Sequence, residues 1–348
     1  MRCVAITGVA SGLGQRVLAR LAVEGAVERV IGIDEGPPAF RPDVLEHHAL
    51  DLRAADLKPL LEGCDTLIHL AWHHEGRGEE MNRRNVDALR RTLDASGAAG
   101  VLSVVHLSSA TVYGAWPDNA VPLREEAAIR PNPGFAHAAE QAECERLLAE
   151  WRDAHPGTRV AVLRPTVVLG TSRDETWLSR SLGGTAAIRV RSDQPPVQFV
   201  HADDVASAVH LAAERRLDGA FNVAPDGWVA GDTATELAGG PPRVGLPEPI
   251  ARRVQAVAWR LGLTDRPPSL LPYLTHPWAV ANDRLRAEGW EPERTNEEVL
   301  VAARPGSRWR ELSPKRRQEI ALAVSGTAIV GLVAGVVAVL RRRRTTAS

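Results

Sequence analysis

Val4-Ala5-Ile6-Thr7-Gly8-Val9-Ala10-Ser11-Gly12-Leu13-Gly14 decides the fold. Cys3 to Ile6 is a short apolar run with β-branched members, the pattern of a strand buried on both faces. Three glycines follow within seven residues, and Gln15 to Glu24 then carries Val17, Leu18, Leu21 and Ala22 at helical spacing. Strand, glycine turn and helix in that order aim the free N–H groups of a helix N-terminus at a phosphate. Gly8 permits the tight turn, Gly12 a close backbone approach, and Gly14 close packing of helix on strand. Thr7, Ser11 and Leu13 complete the candidate phosphate loop. The plain alternative is a glycine-rich turn that holds nothing.

The next strand argues against that alternative. Val27 to Ile33 reads as a second strand ending at Asp34, twenty residues after Gly14. A carboxylate there accepts hydrogen bonds from the adenosine ribose hydroxyls and repels a 2′-phosphate, so NAD is expected over NADP. The competing reading of Asp34 is a turn residue at a strand end.

Further on, His47 to Asp51 reads as a third strand, and Leu57, Leu60 and Leu61 as a short helix with Pro59 in its first turn. Thr66 to Ala71 is a fourth strand, Asn82 to Ala95 a helix, and Val101 to Leu107 a fifth strand ending in Ser108 and Ser109. A helix is expected from His137 to Ala154 and a sixth strand from Arg159 to Leu163. Strands alternating with helices predict an α/β protein with a Rossmann-like, doubly wound parallel sheet. Ligands in such sheets sit beyond the carboxyl ends of the strands, where Asp34, Asp51, Ala71, Ser109 and Pro165 fall. The dinucleotide-binding domain is placed at 1–165 and a smaller substrate or lid region at 166–310, with 197–225 returning to the core. Within that region Gln198 to Val205 reads as a strand entering a helix capped by Asp203 or Asp204. Phe221 to Val223 is another short strand, and the proline-rich stretch 241–280 is expected to form a small helical lid.

At 348 residues and 44% hydrophobic the chain can bury a large core. A net charge of −1 gives no global reason to expect nucleic acid. Cys3, Cys64 and Cys144 are too scattered for a metal site or a disulfide framework, which suits a reducing compartment. Met1 runs straight into the first strand without a signal peptide. The carboxyl end differs in kind. Ile320 to Leu340 is 21 residues without a charge, between Lys315-Arg316-Arg317 and Arg341 to Arg344. That length suits a membrane-spanning helix, with the basic clusters in the lipid headgroups. A hydrophobic helix docked on the domain is the alternative, although it would carry more of a polar face than Ser325 and Thr327. The expectation is a basic linker at 311–319, a single-pass anchor at 320–340 and a basic tail at 341–348. Because NAD is cytosolic, the folded domain should face the cytoplasm. Ala323, Thr327, Gly331 and Gly335 recur every four residues, a small-residue face by which two copies could pair as a homodimer.

Taken together, these residues resemble the extended short-chain dehydrogenase/reductase family, the NAD-dependent epimerase/dehydratases, over about residues 3–305. The resemblance rests on Thr7 to Gly14, Asp34, Asp51-Leu52-Arg53, His69-Leu70-Ala71, Asn85-Val86 and Leu107 to Gly114. It continues through Leu163-Arg164-Pro165, Phe199 to Val205, Phe221-Asn222-Val223 and Gly289 to Pro292. Ser11 stands where the extended form has its middle glycine, and Gly12 gives the spacing of the shorter members. The resemblance implies that Asp34 holds the adenosine ribose and Asp51-Leu52 the adenine. It places Leu70, Ala71, Asn85 and Pro165 around the cofactor, and gives Ser109 the task of polarising a substrate carbonyl or hydroxyl. Asp51 could instead cap the next helix, and Ser109 could satisfy backbone groups. No metal is expected.

Family members use a tyrosine as acid/base and a lysine four residues on that lowers its pKa. With Pro131-Asn132-Pro133 before and Glu143-Cys144-Glu145-Arg146-Leu147-Leu148 after as the guides, the resemblance puts Phe135 at the tyrosine position and Ala139 at the lysine position. Tyr113 and His137 are the substitutes within reach, His137 being expected to point away from the site. Two functions stay open on this reading. One is an oxidoreductase or epimerase acting on a nucleotide-sugar-like or other small hydroxyl or carbonyl compound with a replaced acid/base. The other is a membrane-tethered, NAD-binding pseudoenzyme serving as sensor or scaffold.

Overall fold

The computed structural model describes residues 2–23, 27–73, 79–170, 176–183, 188–190, 194–238, 244–264 and 266–303. Its first half alternates strand and helix: β1 (Cys3–Thr7), α1 (Gly12–Val23), β2 (Arg29–Asp34), β3 (Leu45–Ala49), the single-turn α2 (Lys58–Leu61), β4 (Thr66–His69), α3 (Glu79–Ala99) and β5 (Ser103–Leu107). Pro59 sits in the first turn of α2, where its missing N–H costs nothing. Next come α4 (Ala136–Ala154), β6 (Arg159–Pro165) and β7 (Val167–Leu169). The second half adds α5 (Trp177–Gly183), β8 (Ile188–Val190), β9 (Phe199–His201), α6 (Ala202–Glu214), β10 (Gly219–Val223), α7 (Gly231–Ala238) and β11 (Val244–Leu246). It closes with α8 (Glu248–Arg260), α9 (Pro272–Thr275), α10 (Asp283–Ala287) and α11 (Asn296–Ala302).

Seven strands form one parallel sheet in the order β10-β6-β5-β4-β1-β2-β3. The order reverses between β1 and β4, and the crevice beyond their carboxyl ends is where such sheets hold ligands. Side-chain alternation along β1 feeds two cores. Val4 and Ile6 pack with Val17, Leu18 and Leu21 of α1 and with Val205 and Val209 of α6. Cys3 and Ala5 face the opposite layer, which holds Leu89 and Leu93 of α3 and Leu148 and Trp151 of α4. Tyr113, Phe135, Tyr273, Trp278 and Leu300 belong to a third cluster beneath the 166–303 region.

Sequence expectation and structure part at several points. Strand β3 begins two residues before His47 and stops at Ala49, leaving Asp51 in the turn beyond it. Helix α6 is capped by neither Asp203 nor Asp204. His201 is the cap, its Nδ1 accepting from the Asp203 N–H at 3.1 Å. Asp203 is turned instead to an ion pair with Arg16 of α1, and Asp204 Oδ1 accepts from the Glu293 N–H. Strand β10 lies in the main sheet beside β6. Stretch 241–280 contributes a strand, β11, as well as α8 and α9. Among the described residues no helix is long and apolar enough to cross a membrane. The expected linker, anchor and tail at 311–319, 320–340 and 341–348 lie outside the described residues.

Candidate functional site

At the β1–β4 crevice lies a cavity of about 600 Å³. Its floor is the glycine turn. Gly8 has φ +76°, and a Cβ there would stand 2.7 Å from the Ala71 nitrogen. Strand β1 therefore turns sharply only because residue 8 is glycine. A Cβ on Gly14 would collide with the Gly8 carbonyl oxygen, so glycine here lets α1 start against the turn. Ser11 ties the loop together: its hydroxyl donates to the Gly8 carbonyl at 2.7 Å and accepts from the Gly14 N–H at 3.0 Å. The Gly12 and Leu13 N–H groups, in the first turn of α1, have no partner among the described residues, and both residues line the cavity. Two open amides at a helix N-terminus are what a pyrophosphate requires.

Asp34 stands at the end of β2 on the cavity wall. Its carboxylate accepts from the Ala10 N–H at 3.0 Å and the Gly36 N–H at 3.2 Å, which fixes it beside the phosphate loop. Glu35 follows on the same wall, and Leu50 and Leu52 supply an apolar flank for an adenine ring. Asp51 does not reach the wall. It accepts from the Arg53 N–H at 2.9 Å and pairs with the Arg53 guanidinium, whose hydrogen bonds hold its carboxyl below the usual range. Thr7 and Asn85 also act from behind. Thr7 Oγ1 is 2.8 Å from His69 Nδ1 in the buried strand layer. Asn85 clamps the backbone of His73, accepting from its N–H at 2.8 Å and donating to its carbonyl at 3.2 Å. That clamp holds the Leu70-Ala71-Trp72-His73 segment, which lines the cavity.

Ser109 lies on the opposite wall with Pro165 and Thr166. Its Oγ accepts from the Thr111 N–H at 3.2 Å and from Thr111 Oγ1 at 2.9 Å. With those two acceptances made, the Ser109 hydroxyl proton is left to be offered to a ligand oxygen. Below it, the Ser108 hydroxyl donates to Glu145 at 2.5 Å, and Glu145 forms a buried, bidentate pair with Arg164.

Neither position of the expected catalytic pair lies on the cavity wall. Phe135 is not on the cavity wall; it precedes α4 and is buried against Tyr273, with ring centroids 4.9 Å apart. Ala139 is exposed on α4. His137 and Gln141 are the two α4 residues that line the cavity. Helical phase explains this placement: residues four apart share a face, and His137, Gln141 and Glu145 form one such row. His137, expected to point away, instead meets Trp72 edge-on at 5.5 Å on the cavity wall. Gln141 was missed in sequence, although its spacing from His137 and from Glu145 carries the signal.

Tyr113 is no acid/base candidate here. It is buried off the wall, donates to Asn222 Oδ1 at 2.8 Å and accepts from Arg164 Nη1 at 2.6 Å. Burial pushes its phenol up to about 12. Beside Gln141, burial also pushes the Glu140 carboxyl up to about 7, against the pull of Asn85. Behind the wall, burial drives the stacked rings of His69 and His106 down to about 3 and about 4, so both are neutral near pH 7. Among the described residues no cluster of histidine, cysteine and carboxylate side chains could hold a metal.

A parallel sheet with its glycine turn, open helix amides and strand-end carboxylate facing one cavity defines a dinucleotide-binding protein of the Rossmann class. The family model of the NAD dependent epimerase/dehydratase family matches residues 4–224. The chain belongs to that family, which makes NAD its cofactor. It is similar to the GDP-6-deoxy-D-mannose reductase of Pseudomonas aeruginosa, 27% identical over 63% of this chain and 73% of that one. An uncharacterized Mycobacterium tuberculosis protein is 25% identical over 86% of this chain and 82% of its own length. In fold it is similar to the Thermus thermophilus UDP-glucose 4-epimerase in its complex with NAD. The TM-score is 0.66 at 21% identity, over 86% of this chain and 97% of that one.

Proposed function

We propose that this protein holds NAD along the glycine turn and Asp34, and uses it in an oxidoreductase or epimerase reaction on a nucleotide-sugar-like hydroxyl or carbonyl compound. The observation that carries the reading is the joint presence of Ser109, His137 and Gln141 on the wall of one cavity. When bound, NAD supplies the hydride acceptor and donor. Ser109 donates a hydrogen bond to the reacting oxygen of the substrate and keeps its proton. His137 takes the proton of a substrate hydroxyl as it becomes a carbonyl, and returns it in the reverse direction. A tyrosine in this role needs a cation to bring its pKa from about 10 toward neutrality. An imidazole titrates near 6.5 unaided, so a neutral amide at Gln141 is chemically sufficient beside it. The family match and the similarity to a nucleotide-sugar reductase support the substrate class.

Gln141 brings no charge, and that favours a second reading: a protein that holds NAD without turning it over, as sensor or scaffold. Mass spectrometry of the ligand released from purified protein identifies the cofactor. Turnover on a panel of nucleotide sugars, with and without His137→Ala, then separates the readings. Loss of a measurable rate in the variant supports the enzyme. NAD without turnover anywhere in the panel supports the second reading.

The apolar stretch Ile320 to Leu340 with its basic flanks supports a single-pass anchor that keeps the folded domain at a membrane on the cytoplasmic side.

A further inference from the structure

Helix α8 leaves several apolar side chains in water. Its inner side is fastened: Ala251 packs with Leu271, and Gln255 Nε2 donates to the Arg266 carbonyl at 2.5 Å. On another side Ile250, Val254, Val257 and Leu261 follow one another at intervals of four, three and four, a single stripe along the helix. Ile250 is 40% exposed, Val257 57% and Leu261 67%, and Leu263 just beyond is 76% exposed. Val254 between them is half-buried; single exposed apolar side chains are ordinary, whereas several along one side of a helix mark a contact surface. Arg253 and Arg260 border this stripe, and neither has an ion-pair partner among the described residues. Arg252, on a different side, is paired with Glu248.

An apolar stripe edged by unpaired arginines is the chemistry of a helix lying in a lipid headgroup layer. Residues 304–348, which follow the last described helix, repeat that chemistry in sequence: 21 uncharged residues between Lys315-Arg316-Arg317 and Arg341 to Arg344. We propose that α8 is a membrane-contact helix, its Ile250–Leu261 stripe and Leu263 set into the surface of an anionic bilayer with Arg253 and Arg260 on lipid phosphates. The proposal rests on the membrane reading of residues 320–340, and adds a second contact that fixes how the domain sits on the bilayer.

The test uses the full chain with an environment-sensitive fluorophore on Leu261→Cys, since Cys3, Cys64 and Cys144 are buried. A label on Leu102→Cys, at a position 47% exposed before β5, is the reference. Each protein is mixed with phosphatidylcholine/phosphatidylglycerol vesicles whose acyl chains carry a quencher. The expected result is several-fold stronger quenching at 261 than at 102, reduced by Arg253→Glu with Arg260→Glu while the protein still sediments with vesicles. Sedimentation with equal quenching at the two positions overturns the proposal and leaves the anchor standing. Blue-shifted emission at 261 without lipid quenching also overturns it, because a second copy or the chain's own apolar segment then covers the stripe. A further variant, Val330→Arg with Val333→Arg, breaks the anchor. If its label at 261 is still quenched, α8 binds lipid by itself and the proposal stands. No sedimentation and no quenching in any form sinks both.

Discussion

His137 and Ala139 are two residues apart in the chain and face different surroundings, the one on the cavity wall and the other in solvent, and the proposed chemistry turns on that difference. Replacing His137 by alanine is expected to lower turnover by about 10²–10⁴-fold, the usual worth of a positioned acid/base, with little change in NAD binding. Installing lysine at Ala139 should alter neither, because its side chain would enter solvent. Steady-state kinetics on the two variants decides between the frames, and a gain of activity in Ala139→Lys would favour the Phe135/Ala139 one. Neighbouring Glu140 makes a pH-dependent prediction. Its folded-state pKa of about 7 lies above the ordinary carboxylate value, so the folded state binds the extra proton between pH 4.5 and 7. Stability from this group is present below that window and is lost as pH rises through it. Glu140→Gln should therefore raise the melting temperature at pH 8 by several degrees and have little effect at pH 4.5. His69 and His106, depressed to about 3 and about 4, act with the opposite sign: they must charge on unfolding, and destabilise as pH falls below about 6.5. The placement of the glycines in the turn and of Asp34 at the strand end was readable because it is set by backbone and strand position. Which α4 residues face the cavity was not, because the phase of a helix is set by what its buried face packs against, and neither Pro131-Asn132-Pro133 nor Glu143 to Leu148 states it.

At the scale of elements, the strand-helix alternation was legible because apolar runs and helical spacing are written in the sequence, and most strand ends fall within two residues of expectation. What the sequence hid were ties between distant elements. Arg164 of β6 and Glu145 of α4 are nearly inaccessible and joined by three hydrogen bonds, with Tyr113 and Ser108 completing the network. Nothing local in either segment announces the other. Removing the cation leaves a buried carboxylate without compensation, so Arg164→Met should cost about 3–5 kcal/mol in denaturant unfolding. The double substitution with Glu145→Leu should recover much of that loss, since an apolar pair of similar volume avoids the desolvation cost. If the double variant is as unstable as the single one, the pair is holding Tyr113 or Ser108 in place rather than compensating charge. The His201 cap was equally hidden: an acidic residue in a first turn looks like a cap in sequence, and only the Arg16 pairing shows that Asp203 is engaged elsewhere.

On the scale of the whole molecule, the cofactor and the proposed anchor act on one folded unit. The cavity proposed to hold NAD is lined by α1, β2 and the 70–73 segment, and a ligand that binds only the folded state stabilises it by about 2.7 kcal/mol at a hundred times its dissociation constant. NAD should therefore raise the melting temperature and NADP should raise it less, because the Asp34 carboxylate meets the 2′-phosphate with like charge. Asp34→Asn is expected to narrow the gap between the two, and equal shifts in the unmodified protein would remove Asp34 from that role. Membrane attachment is separable from this. Full-length protein should fractionate with membranes and resist extraction by high salt, because an apolar span is held by hydrocarbon burial and not by screened charge. Arginines at Val330 and Val333 place two charges inside the stretch, at a cost per charge of about 2.5–3.5 kcal/mol near its centre. That variant should become salt-extractable, held only by surface contacts, while its NAD-dependent thermal shift is unchanged. Recovery of the unmodified protein in the soluble fraction would instead mean that the 320–340 stretch docks on the domain, and the same two substitutions should then lower the melting temperature.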